Sequence, residues 1–239
     1  MKKVICFSLW GNEYRYLGGA LQNVELAKYF YPDWVCRFYI GKSTNEKFKN
    51  ILKSFDNVEI VEMEENGDWR GMFWRFFGAS DETVDIMISR EADSRIHRRE
   101  VEAVNEWVNS DKKFHIMRDH QYHSVPLLGG MWGVKKGFIN DIVSEIKEYN
   151  GGDFWQVDQN FLKEKIFDRV IHDSMVHDEM HRYVVDSNRY PNTSRNPSHF
   201  VGQAYAGSGI VLDAPPNFND FLFETEGFRI KVYEESELV

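Results

Sequence analysis

The first 63 residues alternate between short apolar runs and longer segments that repeat apolar side chains at helical spacing. The apolar runs cover residues 4–9, 35–40 and 58–63, and each is short enough for one buried strand. Residues 16–30 and 43–55 have helical spacing, and Ser43 and Glu46 have the spacing of a capping box. Strand, helix, strand, helix, strand is typical of a parallel sheet with crossover helices. We therefore expect an α/β protein.

The same criteria predict further elements downstream. Strands are expected at residues 84–88, 114–117, 125–134 and 170–172, the third one interrupted by glycines. Helices are expected at residues 99–108, 138–149 and 156–166. From 182 to 209, Asn, Ser, Pro and Gly accumulate, which favours a long loop or lid. Because no clean linker interrupts this order, one domain over residues 1–239 is expected.

Composition and charge exclude several classes of protein. The 239 residues carry a formal net charge of -9, whereas sequence-independent nucleic-acid binding requires a basic surface. The two cysteines, Cys6 and Cys36, lie in apolar runs and are expected to be buried thiols. The apolar run near the start is too short for a signal peptide, and no run is long enough to span a membrane. We expect a cytoplasmic protein.

A pair of carboxylates follows the strand predicted at residues 84–88. Residues two apart on an extended chain point to the same side, so Glu91 and Asp93 are expected to stand together beyond the strand's carboxyl end. Open α/β sheets bind ligands at that edge. Two hard oxygen ligands suit Mg²⁺ or Mn²⁺ carrying a phosphate, and a solvated acidic turn is the alternative.

Several short segments follow one another in an informative order between residue 4 and about residue 205. The main ones are Phe7-Ser8-Leu9-Trp10-Gly11, Arg90-Glu91-Ala92-Asp93-Ser94-Arg95, His115-Ile116-Met117-Arg118-Asp119-His120, Gly129-Gly130-Met131-Trp132-Gly133 and Asp158-Gln159-Asn160-Phe161-Leu162. Together they resemble the GT-A-fold glycosyltransferases, in particular small polysaccharide-building transferases of bacteria and large DNA viruses. One departure is that Glu91 stands where that group's Asp-x-Asp segment has its first Asp.

The resemblance implies a GT-A (Rossmann-like) fold: a mixed, mostly parallel sheet flanked by helices in a single domain. Residues 1–95, approximately, would bind the nucleotide, and residues from about 96 to 239, with a loop-rich C-terminal part, would bind the acceptor. The implied activity is metal-dependent transfer of a hexose, deoxyhexose or pentose from a nucleotide donor, UDP-linked by resemblance, to a glycan acceptor. The implied cofactor is Mn²⁺ or Mg²⁺.

The resemblance also assigns residues to the donor and the metal. The implied donor contacts are Ser8, Leu9, Trp10, Gly11, Arg75, Glu91, Ala92 and Asp93. Asp93 is the first choice for a direct metal ligand, Glu91 the second, and a late histidine, His172 or His199, would complete the shell. Arginines suit a diphosphate through bidentate contacts. Arg90 and Arg95 are expected either to assist with charge or to pair with nearby acids.

On the acceptor side, the implied contacts are Gly129, Gly130, Trp132 and Gln159. Asp158 is the candidate catalytic carboxylate, with Asp119 a weaker candidate for a contact with a sugar hydroxyl. Asp158 would act as general base if the reaction inverts the anomeric centre, or would stabilise that centre if configuration is retained. Its alternative role is that of a favourable first-turn residue of a helix.

Two other classes of function remain open at the level of sequence. The segment His177-Asp178-Glu179-Met180-His181 has the spacing of a zinc-protease motif, with Asp where that motif requires Glu. A zinc-dependent hydrolase that uses the late histidines is therefore one alternative. A non-catalytic carbohydrate-binding module, rich in Trp and Tyr, is the other.

Overall fold

The computed structural model is built on one seven-stranded sheet. It describes residues 1–181, 183–184, 186–191, 199–205 and 230–239. The strands are β1 (Lys3–Leu9), β2 (Trp34–Ile40), β3 (Val58–Glu62), β4 (Ile86–Ser89), β5 (Phe114–Arg118), β6 (Trp132–Lys135) and β7 (Ser174–Asp178). Their order across the sheet is β3-β2-β1-β4-β6-β5-β7, and only β6 runs antiparallel to its neighbours. The mixed, mostly parallel sheet expected from the sequence is confirmed.

Helices cover both faces of the sheet. The α-helices are α1 (Tyr14–Phe30), α2 (Glu46–Lys53), α3 (Arg98–Val108), α4 (Ile142–Glu148), α5 (Val157–Phe161), α6 (Phe167–Val170) and α7 (Glu235–Leu238). A 3₁₀ helix over Trp69–Ser80 connects β3 to β4, and a π-helical turn over Leu162–Ile166 connects α5 to α6. In the described part of the chain, no helix is both long and apolar enough to cross a bilayer.

The alternation of side chains along β1 divides the core into two layers. Ile5, Phe7 and Leu9 pack against the apolar sides of α1, α2 and α3, whereas Val4 and Cys6 pack against the 3₁₀ helix and the cluster that includes α4 and α5. A period of two puts Ser8 on the second face, beside the 3₁₀ helix. One polar residue at the end of an apolar strand therefore points toward that helix.

The topology fixes where a ligand site can form. From β1 the chain builds β2 and β3 on one side, and then returns to place β4 on the other side of β1. The carboxyl ends of β1 and β4 therefore diverge at a switch point, where open α/β sheets leave a crevice. Gly11, with φ of +69°, makes the turn from β1 toward α1 in the left-handed region that favours glycine.

Several local predictions are wrong. The cap of α2 is Asn45, whose side chain accepts a hydrogen bond from Phe48 N at 2.8 Å; Ser43 instead binds Gly11 N at 2.9 Å. Residues 170–172 end a helix, and the strand begins only at Ser174. In the segment predicted as a strand at 125–134, regular pairing begins only at Trp132. The helix predicted at 138–149 begins later, at Ile142. Short apolar runs do not by themselves distinguish a helix end from a strand.

The loop or lid predicted at residues 182–209 is described only in part. Residues 199–205 dock beside β4's carboxyl end: Ala204 pairs with Ser94 in an antiparallel bridge, and Tyr205 N donates to Asp93 O at 2.7 Å. This piece is therefore packed on the core. Residues 182, 185, 192–198 and 206–209 lie outside the described residues.

Gly133 tests the packing of the central sheet. A Cβ at this position of β6 would lie 2.8 Å from Ile88 Cγ2 and 2.9 Å from Trp107 Cζ3. Overpacking of a filled core typically costs about 1 to 3 kcal/mol, and we expect Gly133→Ala to lower the free energy of unfolding by that amount. Urea titration followed by tryptophan fluorescence measures it. An unchanged midpoint would show that the sheet is not packed as described.

Candidate active site

The two predicted metal ligands lie in a turn directly after β4. Ser94 N and Ser94 Oγ both bond to Glu91 O, at 3.2 and 2.9 Å, so residues 91–94 turn back and do not continue the strand. Glu91 and Asp93 are therefore brought together by a turn, and the extended alternation assumed from the sequence does not apply. The side chain of Glu91 is 37% exposed, and that of Asp93 is 12% exposed. We call residues 91–94 the acidic turn.

A single guanidinium joins this turn to α5. Arg75 Nη2 lies 2.6 Å from Asp158 Oδ2 and 3.2 Å from Glu91 Oε1. The other oxygen of Asp158 accepts a hydrogen bond from Gln159 N at 2.8 Å. Both Arg75 and Asp158 are buried, and a buried charge is tolerated only where it is paired. Arg75 therefore connects carboxylates that are 67 positions apart in the chain.

Two serines hold the elements that carry this bridge. Ser8 Oγ, at the end of β1, accepts a hydrogen bond from Arg75 N at 2.9 Å and donates to Met72 O at 3.3 Å. Ser89 Oγ, at the end of β4, donates to Gly129 O at 2.7 Å. The neighbouring parallel strands β1 and β4 thus each carry a serine near the carboxyl end. The two hydroxyls hydrogen-bond to the 3₁₀ helix and to the loop before β6.

Two glycines make room for the bridge. A Cβ on Gly129 would collide with Arg75 Nη2 and Asp158 Oδ2, and a Cβ on Gly130 would lie 2.5 Å from Glu91 Cγ. Any larger residue would displace the charged groups. The pair therefore forms one wall of the cluster, where the sequence led us to expect the floor of a sugar site.

A second arginine faces Asp93. Arg15 Nη2, in the first turn of α1, lies 3.2 Å from Asp93 Oδ2. Burial, followed by the negative charge of Glu91, raises the pKa of Asp93 to about 6, although Arg15 and Arg95 oppose that rise. Burial also raises the pKa of Asp158, while Arg75 acts in the opposite direction. The charged forms of Asp93 and Asp158 are thus disfavoured at this edge, although arginines lie beside them.

The carboxylates of the acidic turn fit a divalent cation. Asp93 and Glu91 supply two hard carboxylate oxygens from one turn, and a cation would offset the burial and the negative charge of Glu91 that raise the Asp93 pKa. Among the residues that the structure describes, no group of three His, Cys, Asp or Glu side chains forms a metal cluster. Mg²⁺ and similar ions commonly use only one or two carboxylates together with water and substrate phosphates, so the residues present fit such an ion.

Some residues predicted as donor or acceptor contacts have core side chains. Leu9 and Ala92 are buried in the first apolar layer, so their side chains are part of the core. Trp132 is wholly buried and stacks on Phe114 with ring centroids 5.3 Å apart, so the prediction that its side chain lines a sugar site is wrong. Trp10 is half-buried and packs edge-on against Trp74 near the switch point.

Asp119 lies in a different ion network. It is fully buried and accepts hydrogen bonds from Arg99 Nε and Nη2, at 3.1 and 3.0 Å, and from Val201 N at 3.0 Å. A sugar hydroxyl would have to displace these partners. Asp119 therefore anchors α3 and the 199–205 segment, in place of the sugar contact expected from the sequence.

His172 is at the wrong edge of the sheet for the predicted metal site. It precedes β7, which runs parallel to β5; β5 and β4 are both antiparallel to β6. His172 thus lies at the amino edge, whereas the acidic turn follows the carboxyl end of β4. A strand of five residues spans about 16 Å, too far for a shared ion.

The other late histidines do not form the zinc site of the hydrolase alternative. His177 lies in β7, not on a helix, and its Nδ1 and Nε2 contact His115 Nε2 at 2.8 Å and Glu106 Oε2 at 3.1 Å. His199 Nδ1 lies 3.0 Å from the Tyr205 hydroxyl, and burial, followed by the effect of His97, lowers the pKa of His199 to about 4. His199 belongs to the segment docked beside the acidic turn.

The two arginines of the acidic segment have structural partners. Arg90 Nε pairs with Glu100 Oε1 at 2.8 Å in the core, which is the alternative considered for it from the sequence. Arg95 hydrogen-bonds to Gln22 and lies over the Tyr205 ring at 5.4 Å. Burial lowers the pKa of Arg95 to about 10. Its charge still acts on Asp93.

Sequence reasoning missed Arg15 and the docking of residues 199–205. A signal for Arg15 was present: it stands in the first turn of the helix that follows β1, at the predicted switch point. The docked segment is held by backbone hydrogen bonds to Asp93 and Ser94. Such contacts depend on tertiary placement, so no local pattern identifies them.

The raised pKa of Asp93 predicts an unusual stability profile. Because the folded state binds this proton more tightly than the unfolded chain, stability falls as pH rises from about 4 to about 6. Asp93→Asn removes that penalty and is expected to raise the free energy of unfolding at pH 7.5 by about 1 to 2 kcal/mol, and to give no gain at pH 4. Urea titrations at both pH values measure it.

Asp56→Asn is the matched control for that titration. Asp56 is exposed, and its hydrogen bond with Lys28 lowers its pKa, so its removal should give no gain at pH 7.5. If Asp93→Asn, like the control, gave no gain in the free energy of unfolding at pH 7.5, the ionised Asp93 side chain would not cost stability and the prediction would be wrong.

Among known proteins, this chain is similar only to solved structures, and the similarity is one of fold. No family model and no curated protein matches the chain. A glycosyltransferase involved in the glycosylation of the major capsid of PBCV-1 is 15% identical with a TM-score of 0.50, over 74% of this chain and 82% of that one.

Two other solved structures are similar at lower scores. Glucosyl-3-phosphoglycerate synthase from Mycobacterium tuberculosis, in complex with Mn²⁺, UDP-glucose and phosphoglyceric acid, has 11% identity and a TM-score of 0.46, over 73% and 69% of the chains. 4-Diphosphocytidyl-2C-methyl-D-erythritol synthase from Anaerococcus prevotii has 13% identity and a TM-score of 0.45, over 73% and 87%. At these identities a likeness shows the fold alone. With its mixed, mostly parallel sheet, the chain has the GT-A fold of nucleotide-sugar glycosyltransferases.

Proposed function

We propose that this protein is a metal-dependent glycosyltransferase that moves a sugar from a UDP-linked donor to a glycan acceptor. The single observation that carries the proposal is the bridge from Glu91 through Arg75 to Asp158, built at the switch point beside Asp93. A fold alone does not specify a function, and the chemistry of the site must support it. This cluster has the charges that binding of a diphosphate through a cation requires.

The balance of charge supports an anionic donor. Three carboxylates and three arginines act on one another at this edge, and if all are ionised their charges cancel. They are Glu91, Asp93, Asp158, Arg15, Arg75 and Arg95. A divalent cation would add two positive charges, which match the two negative charges of a sugar nucleotide's diphosphate. Neither ligand would then leave a large uncompensated charge, which is costly where water is partly excluded.

In this proposal Asp93 and Glu91 hold the cation, which when bound stabilises negative charge on the diphosphate leaving group as a Lewis acid. Arg75 approaches the same phosphates with its guanidinium. Ser8 fixes the backbone of Arg75, so the group is oriented before the donor arrives. Preorganised positive charge of this kind stabilises charge that develops in a transition state.

Asp158 acts in the proposal as a positioning residue for Arg75. Its carboxylate is 1% exposed, and its two oxygens accept bonds from Arg75 Nη2 and Gln159 N. A general base needs an oxygen within reach of the acceptor hydroxyl. We therefore favour an indirect role over the direct one expected from the sequence. Gly129 and Gly130 would border the transferred sugar.

The wider assignment extends the proposal with the expectations drawn from the sequence. Residues up to about 95 would supply most donor contacts, and later residues would supply the acceptor side together with Asp158. The acceptor would be a growing polysaccharide, and the reaction would take place in the cytoplasm.

Binding of UDP is expected to depend on the cation. At 100 times its dissociation constant, a ligand stabilises the folded state by about 2.7 kcal/mol. We expect a thermal-shift assay to show this gain for UDP with Mn²⁺ or Mg²⁺ and little gain in excess EDTA. Asp93→Asn should abolish the metal-dependent part of this gain in stability and also the release of UDP from UDP-sugars. Glu91→Gln should reduce both effects by less. Equal UDP binding in EDTA would remove the cation from the proposal.

The positioning role of Asp158 has its own signature. Asp158→Asn leaves Arg75 with a weaker partner, so it should weaken UDP affinity in saturating Mn²⁺ and lower turnover, each by about tenfold, the effect of 1.4 kcal/mol. Calorimetry and steady-state kinetics on one preparation measure both. Unchanged UDP affinity with a loss of kcat of about 100-fold would instead mean that Asp158 acts directly on the reacting groups.

A further inference from the structure

The two arginines that meet the acidic turn are held very differently. Arg75 is 6% exposed and is fixed by Asp158, by Glu91 and through its backbone by Ser8. Arg15 is 37% exposed, and within the described part of the chain its one ion pair joins it to Asp93. One arginine is therefore built into the core, whereas the other reaches the site from the surface of α1.

Arg15 also keeps unused hydrogen-bonding capacity. Its guanidinium lies over the Tyr16 ring, 4.3 Å from the centroid, and hydrogen-bonds to the Tyr16 hydroxyl. In the described part of the structure, Arg15 Nε has no hydrogen-bond partner, although it is shielded from solvent. The Nε and Nη2 edge of a guanidinium matches two oxygens of a phosphate. That edge is only half used by Asp93.

The position of Arg15, in the first turn of α1, favours binding of a phosphate. α1 has 17 residues and is separated from the end of β1 by four residues, so its first-turn N–H groups lie at the same switch point. The start of a helix carries partial positive charge and free N–H donors, which attract anions. Glu13, at the cap, makes no side-chain cap hydrogen bond that would occupy these donors.

We propose that Arg15 is an exchangeable counter-charge: it neutralises Asp93 when no ligand is bound and transfers to the donor's diphosphate when Asp93 holds a divalent cation. The inference rests on the proposed function and names a specific residue for it. A carboxylate oxygen that binds a cation cannot keep the same close contact with a guanidinium, because the two positive charges repel. Arg15 can leave Asp93 because its other partner, Tyr16, belongs to the same helix, whereas Arg75 is held by two carboxylates and by Ser8.

The proposal predicts effects of opposite sign from one substitution. Arg15→Gln removes a competitor for Asp93, so Mn²⁺ alone should bind about threefold or more tightly. The same change removes a charge-assisted contact with the diphosphate, so UDP in saturating Mn²⁺ should bind about tenfold more weakly. Electron paramagnetic resonance of free Mn²⁺ measures the first constant, and calorimetry with UDP measures the second. Neither readout requires turnover.

Two further variants sharpen the test. Arg169→Gln removes the same charge from a side chain of similar exposure, 39%, that pairs with Asp141 at 2.9 Å near the amino edge of β7; both constants should stay at wild-type values. Arg15→Lys keeps the charge without the planar fork, so Mn²⁺ affinity should stay near that of wild type while UDP affinity falls. The unfolding midpoint of Arg169→Gln should match wild type, whereas Arg15→Gln leaves Asp93 with one arginine fewer and should lower the midpoint at neutral pH while the protein stays folded.

The outcomes separate the inference from the proposed function. Wild-type protein that binds neither Mn²⁺ nor UDP overturns both. Wild-type protein that binds both, with Arg15→Gln weakening both constants or changing neither, overturns the exchange by Arg15 alone. Tighter Mn²⁺ together with weaker UDP supports it.

Discussion

One guanidinium group, that of Arg75, joins charged residues that lie far apart in the sequence. It lies between Glu91, on the acidic turn, and Asp158, at the start of α5. A buried arginine is stable only if it is paired, and removal of one partner of a buried pair is strongly destabilising. The position of the 3₁₀ helix, the two glycines before β6 and the orientation of α5 must all be compatible with this bridge.

The site is also held together against electrostatic repulsion. The pKa of Asp93 rises to about 6 because the carboxylate is buried near Glu91, and two arginines do not fully offset these effects. Such a carboxylate costs stability at neutral pH, which a ligand-binding role can justify, because functional sites commonly carry perturbed pKa values. A cation would turn this repulsion into coordination. Stability without ligand and affinity for the cation are therefore expected to oppose each other.

The sequence predicted the sheet better than it predicted the contacts beyond the ends of its strands. The alternating apolar segments were sufficient for the fold because period and topology constrain a parallel sheet strongly. The strand predicted at residues 84–88 is present as β4, with Glu91 and Asp93 directly after it, although a turn and not an extended strand brings them together. Ser8 was on the list of donor residues, but its observed role is to hold Arg75.

The errors have a common physical origin. Trp132 and His172 were assigned to a site from residue type and order. The Trp132 side chain instead packs in the core, and the direction of β7 places His172 at the opposite edge of the sheet. Asp119 was a plausible polar residue until its bidentate pairing with Arg99 was visible. Arg15 was overlooked because its place in the first turn of α1 puts it at the switch point but does not identify its partner, a carboxylate 78 positions away. Tertiary placement decides such contacts.

The central claim is that Arg75 and Asp158 act as one unit in donor binding. A double-mutant cycle with Arg75→Gln and Asp158→Asn, read out as the dissociation constant of UDP in saturating Mn²⁺, tests it most directly. If Asp158 acts through Arg75, the double variant should bind UDP no more weakly than Arg75→Gln alone. Additive losses, within about 0.5 kcal/mol, would show that the two residues contribute independently and would contradict the account.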